Sequence, residues 1–303
     1  HMSDLAVIKD CRLSGEYTSE NKENIITLSK SIHACTVGGA VGWSSGILKM
    51  DNVECSSLLV NGPDADEGEN PIVTAKIGGL LGQSIETVNI NNAKVKGFDA
   101  NVFGNRSDSN GSEPFIGGCI GVVNDRNTMN DIEVEDINFK TNCANIGGYI
   151  GFGGGTIDNV KITNMTAEAQ EKGEMAAGFI AIARTTDISN IELNSIDITI
   201  KDMIYAGWIK SNSIAGMIAL GGPTKMHDVA LNDVSLNIIE SDESKFVHAG
   251  GIIASTEKSV DIDKVNINGL TINSNSTNGI VGGFAGLEIL GGHITITNST
   301  FIN

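Results

Sequence analysis

Apolar and polar residues along this chain follow a pattern that repeats. A six-residue unit of the form apolar, small, Gly, apolar, apolar, small occurs eight times: Val37 to Gly42, Ile77 to Gly82, Ile116 to Gly121, Ile146 to Gly151, Ala176 to Ala181, Ile214 to Ala219, Ala249 to Ala254 and Val281 to Gly286. Its third position is always glycine: Gly39, Gly79, Gly118, Gly148, Gly178, Gly216, Gly251 and Gly283. About 10 to 15 residues after each copy begins, a second unit starts with apolar residues at positions 1, 3, 6 and usually 8, as in Ile132 to Phe139, Ile191 to Ile198, Val229 to Leu236 and Val265 to Ile272. Ala6 to Leu13 and Ile294 to Phe301 fit the same template. Alternation with period two marks a strand with one buried face, and a change of phase at position 5 marks a corner.

The corner residues are then Asp10, Ser57, Asn92, Asp136, Asn164, Ser195, Asp233, Gly269 and Asn298, types that tolerate a left-handed backbone and bond their own turn. Each unit reads as a strand through the glycine pattern, a strand before the corner and a strand after it. Stacked, the corners form a polar ladder outside and the Ile, Val and Leu positions form apolar ladders inside. The repeated glycine serves a bend or a close backbone approach.

The expected fold is therefore all-β: a single-stranded parallel β-helix with three strands per coil and about eight or nine coils, right-handed by the general crossover preference. Strands about 4.8 Å apart would make it a rod on the order of 40 Å long. Residues 3–303 read as one continuous domain cut from a larger protein, with His1 and Met2 a cloning remnant. A helical or leucine-rich solenoid lacks helical periodicity here, and a propeller needs four antiparallel strands per blade. Spacing between glycine units runs from 30 residues (Gly118 to Gly148) to 40 (Gly39 to Gly79). The excess falls at Asn61 to Lys76, Lys96 to Phe115, Lys201 to Ser213 and Asn237 to His248, always after the second unit, so the insertions leave at one corner. Insertions on one face of a repeat protein are often its binding face.

GGxxG units followed by IxNxxV, as in IGGLLG and then Val88 to Val95, resemble the GLUG-type repeats of large secreted bacterial surface proteins. These include adhesin-like proteins and non-catalytic regions of some IgA-specific metallopeptidases. The resemblance implies a stalk or display surface outside the cell; Ala replaces Gly at the last position of three later copies.

A net charge of −17 argues against nucleic acid and against a polybasic membrane contact. No stretch approaches the roughly 18 apolar residues of a spanning helix, so direct membrane insertion is not expected. The five cysteines, Cys11, Cys35, Cys55, Cys119 and Cys143, lack metal-ligand spacing, and Cys11 and Cys55 fall at core positions.

Chemistry is sparse. Arg12, Arg106, Arg126 and Arg184 are scattered, and the five histidines contain no HExxH. Asp136 and Asp233 are explained as corners before they are explained as a catalytic pair, and GFGGG at Gly151 to Gly155 lacks the Lys-Ser/Thr of a phosphate loop. No cofactor is expected, although two insertions place alternating oxygen ligands suited to calcium: Asp64, Asp66 and Glu69, and Asp108, Asn110 and Glu113. Phe98, Phe103, Tyr205, Trp208 and Phe246 gather near the insertions and would form a contact platform for a host or matrix glycan or protein. The leading expectation is a non-catalytic extracellular binding or display module, its other partners being further domains of the same polypeptide. The alternatives are a polysaccharide lyase or glycoside hydrolase on a β-helix scaffold, and a spacer region of a secreted IgA-specific-type metallopeptidase.

Overall fold

The computed structural model describes residues 5–15, 24–28, 34–62, 74–103, 114–142, 144–170, 175–202, 212–242, 246–288 and 293–302. These residues form two sheets, one of 17 strands and one of eight, in which every pairing is parallel. They contain no helix, and so none long and apolar enough to cross a membrane.

Each repeat pairs with the one before and the one after it. The glycine units build the smaller sheet: Asn145–Gly147 lies between Phe115–Gly117 and Met175–Ala177. The rest of each repeat builds the larger sheet, where Ile150–Gln170 lies between Thr128–Thr141 and Ile180–Lys201. Equivalent side chains therefore stack. Val53, Ala93, Ile132, Val160, Ile191, Val229 and Val265 form one column, and all are buried. Both sheets contribute to one apolar cluster that runs from Leu28 to Leu270.

The corners are bends within long strands rather than breaks, and each repeat has two of them, five residues apart. Asn52, Asp131, Asn159, Asn190, Asp228 and Lys264 form the first, with φ between 51° and 56°. Ser57, Gly97, Asp136, Asn164, Ser195, Asp233 and Gly269 form the second, with φ between 54° and 73°. All nine expected corner residues have positive φ. The register nevertheless corrects three: Asp10 aligns with Asn52, Asn92 with Asp131, and Asn298 with Lys264, so these belong to the first ladder. The template matched there in a shifted frame because both corners favour the same residue types.

A third bend, between the glycine unit and the first corner, is tied by hydroxyls. Ser44, Ser84 and Thr256 donate to the carbonyl two residues ahead, Thr186 and Thr224 to the carbonyl two residues behind.

The glycine column has a steric cause. A Cβ on Gly39, Gly79, Gly118, Gly148, Gly178, Gly216 or Gly251 would overlap the carbonyl oxygen of the corresponding glycine in the next repeat. From the opposite wall, Val95, Ile137, Met165 and Leu231 press into the same space. None of these glycines has a positive φ, so close approach and not a left-handed turn requires them.

Two expectations about individual side chains change. Cys55 is buried as expected, but Cys11 is exposed, because among the described residues its strand is paired on one side only. Phe98 belongs to the core, fully buried and edge-to-face with Phe139 at 5.3 Å between centroids. It follows the second corner at Gly97, whose bend turns it inward, and Lys96 to Val102 is strand rather than insertion.

Candidate functional surface

The outer face between the two corners displays one side chain per repeat two residues past the first corner. In order these are Arg12, Glu54, Lys94, Glu133, Lys161 and Glu192, a strict alternation of sign. Opposite charges directly across a strand pair attract, and the ladder closes in pairs: Arg12–Glu54 at 3.1 Å, Lys94–Glu133 at 2.7 Å and Lys161–Glu192 at 3.4 Å. Glu135 joins from two residues further on, 3.2 Å from Lys94 and 3.3 Å from Lys96. Partial burial would raise the Glu135 carboxyl, but its hydrogen bonds to these two lysines hold it below the ordinary carboxylate range. Hydrogen bonding to Glu133 keeps Lys94 above the ordinary lysine range. The face is a shallow groove of about 570 Å³ between the corner ladders.

Amides hold the corners together. Asn52 Nδ2 donates to Asp10 Oδ1 at 2.7 Å, Asn92 to Asn52 at 3.3 Å, Asn164 to Asp136 at 3.0 Å and Asn190 to Asp158 at 2.8 Å. In each case the later repeat donates to the earlier one. Bonds from Ser189 and Asn190 hold the Asp158 carboxyl low.

The insertion edge is the second surface. The segments 63–73, 104–113, 203–211 and 243–245 lie outside the described residues, and with them Asp64, Asp66, Glu69, Asp108, Asn110, Glu113, Tyr205 and Trp208. Their described flanks stack in register. On one side Asn61 pairs with Asn101, and Ile239 with Lys201. On the other Lys76 pairs with Phe115, and Ser213 with His248. Every one of these segments thus departs from and returns to the same edge. Phe246 stands there 39% exposed, edge-to-face with His248 at 5.2 Å, and Phe103 is half-buried.

Beneath this edge lies a buried polar belt that sequence reading missed. Asn212, Ser213, Glu240, His248 and Ser255 are each no more than 3% exposed. Asn212 Nδ2 donates to Glu240 Oε1 at 3.3 Å, Glu240 N–H donates to Asn275 Oδ1 at 2.8 Å, and the Ser213 and Ser255 hydroxyls meet at 3.3 Å. Burial pushes the His248 imidazole down to about 4, so it is neutral at pH 7. The sequence signal was only that polar residues replace apolar ones at inward positions late in the chain. Among the described residues no group of three or more His, Cys, Asp or Glu side chains gathers closely enough to hold a metal ion.

No family model matches the chain, and no curated protein matches it. Among solved structures it is similar to a GH136 lacto-N-biosidase from Eubacterium ramulus, at 10% identity and a TM-score of 0.28. The alignment covers 86% of this chain and 51% of that one, so the chain spans about half the length of the structure it matches. At that level the likeness transfers nothing to this chain.

Proposed function

We propose that the chain is a right-handed parallel β-helix of about nine turns, acting as a non-catalytic binding or display module outside the bacterial cell. Its resemblance to GLUG-type repeats supports that setting, and the proposed contacts are with a host or matrix glycan or protein. The observation that carries the reading is the stacking of the described flanks of four inserted segments on one edge. The outer groove supports it from the other side: its lysines and carboxylates are engaged with one another, repeat to repeat, and so build a rigid rod.

Replacing residues 204–210 with a short Gly-Ser linker tests the reading. Binding to a glycan and matrix-protein array should fall at least tenfold while the melting temperature and β-sheet circular dichroism are kept. Unchanged binding would reassign the chain as a spacer, and release of reducing ends from a glycan panel would reassign it as a hydrolase.

A further inference from the structure

The charged ladder of the outer face stops partway along the stack. After Glu192 the same position holds Ala230, Asn266 and Thr300 in the next three repeats. Two residues further along the strand, Lys96 and Glu135 are in-register neighbours, flanked by Ser56 and Thr163. The block therefore sets Arg12, Lys94, Lys96 and Lys161 against Glu54, Glu133, Glu135 and Glu192, a balance of charge in a chain whose net charge is −17. Pairing within the chain does not use this block up. No ion pair joins Glu54 to Lys94 or Glu133 to Lys161, although both couples lie in register. The six ladder side chains also keep 31–65% exposure, enough to reach another surface.

We propose that this face pairs with the same face of a second copy of the chain, in a two-fold dimer with antiparallel rods. An alternation of six charges, reversed end to end, is its own complement, and an isologous interface applies that reversal. With the two-fold axis along the strand direction, midway between the Lys94 and Glu133 repeats, Arg12 faces Glu192 of the other copy, Glu54 faces Lys161 and Lys94 faces Glu133. The second column obeys the same operation, since Lys96 faces Glu135. At the first corner Asp10 faces Asn190 and Asp131 faces Asn92, so each carboxylate meets an amide donor. At the second corner Asp136 faces Gly97. No like charges meet. Parallel rods would instead bring Lys94 over Lys96 and Glu133 over Glu135, which repel, so the charge pattern selects one orientation.

The face measures five steps of about 4.8 Å by roughly five residues of about 3.3 Å, or about 400 Å² per copy. That is half of the roughly 800 Å² that a stable complex buries on each side, so the dimer is weak and reversible. The net charge of −17 opposes association, but at about 0.15 M salt charges more than about 8 Å apart are largely screened, and the local pairing decides. This contact is separate from the insertion edge and does not rest on the display reading.

Sedimentation velocity of the full chain at about 0.15 M salt and up to about 1 mM protein tests the proposal. A monomer–dimer equilibrium is expected. Arg12→Glu and Glu192→Arg should each weaken it at least fivefold, the second although it lowers the net negative charge. The double reversal should recover the original affinity to within about twofold. Arg12 and Glu192 lie five repeats apart in one chain, so this recovery can arise only between antiparallel copies. Lys225→Glu, an exposed reversal on the neighbouring face, should leave the dimer unchanged. Melting curves should be kept in every variant, because exposed ion pairs add little to stability. A monomer throughout the range, a dimer indifferent to both single reversals, equal weakening by Lys225→Glu, or a double reversal without recovery would overturn the assignment.

Discussion

Two residue types carry the repeat, and each has its own physics. The glycine column exists because backbone meets backbone: at Gly118 an added Cβ would overlap the Gly148 carbonyl and lie 2.9 Å from Ile137 Cδ1. Gly118→Ala should cost about 3 kcal/mol, the upper end of overpacking penalties. Gly279→Ala, where the nearest atom would be a carbonyl at 3.4 Å, should stay within about 0.5 kcal/mol. Urea unfolding of the two variants gives the comparison. At the corners, backbone handedness decides. Asn164 sits at φ 57° and donates to Asp136 at 3.0 Å. Asn164→Gly should lose only the hydrogen bond, about 1 kcal/mol, whereas Asn164→Val should add about 1–2 kcal/mol for a left-handed Cβ. His248 supplies a pH dependence. Burial lowers its folded pKa to about 4 from the ordinary 6.5, so its neutral form favours folding above pH 6.5. That contribution, up to about 3 kcal/mol, is lost as pH falls from 6.5 towards 4. His248→Gln should flatten the stability profile across that window, measured by urea midpoints at half-unit pH steps.

At the scale of the strand, the corner residues were legible because only a few side chains accept positive φ, and all nine named from the sequence do adopt it. Their division into two ladders was not legible. Asn92 and Asp136 look alike in sequence, and only the strand register shows that Asn92 lies above Asn52 while Gly97 lies below Asp136. The charge alternation from Arg12 to Glu192 stayed hidden for the same reason, since its members are 28 to 42 residues apart and align only when the first corner is known. Surface pairs of this kind contribute only about 0–1 kcal/mol each. Their consequence is register rather than stability, because a shift by one repeat would set like charges against each other.

The described residues stack repeat on repeat, so their stability is a sum over neighbours, and the first and last described repeats have one described neighbour each. Ile296, Phe301 and Val281 are 40–52% exposed, whereas Ile262, Ile267 and Ala249, their partners one repeat earlier, are at most 1% exposed. Hydrogen exchange should follow this gradient. Amides of Ile294–Thr297 should exchange through local opening, while those of Ile157–Ile162 should require global unfolding. Uniform protection along the chain would contradict a nearest-neighbour stack.

By itself the sequence determined the all-β class, the repeat boundaries, the inward columns and the placing of insertions on one edge, because period, steric tolerance and phase are local properties written into a few residues at a time. The tertiary structure decided which corners share a ladder, that Phe98 points inward, that Cys11 is left uncovered although it lies in register with the buried Val53, and that a polar belt lies under the insertion edge. Those depend on which residue lies over which, 28 to 42 positions away along the chain, and that alignment is fixed only when neighbouring backbones pair.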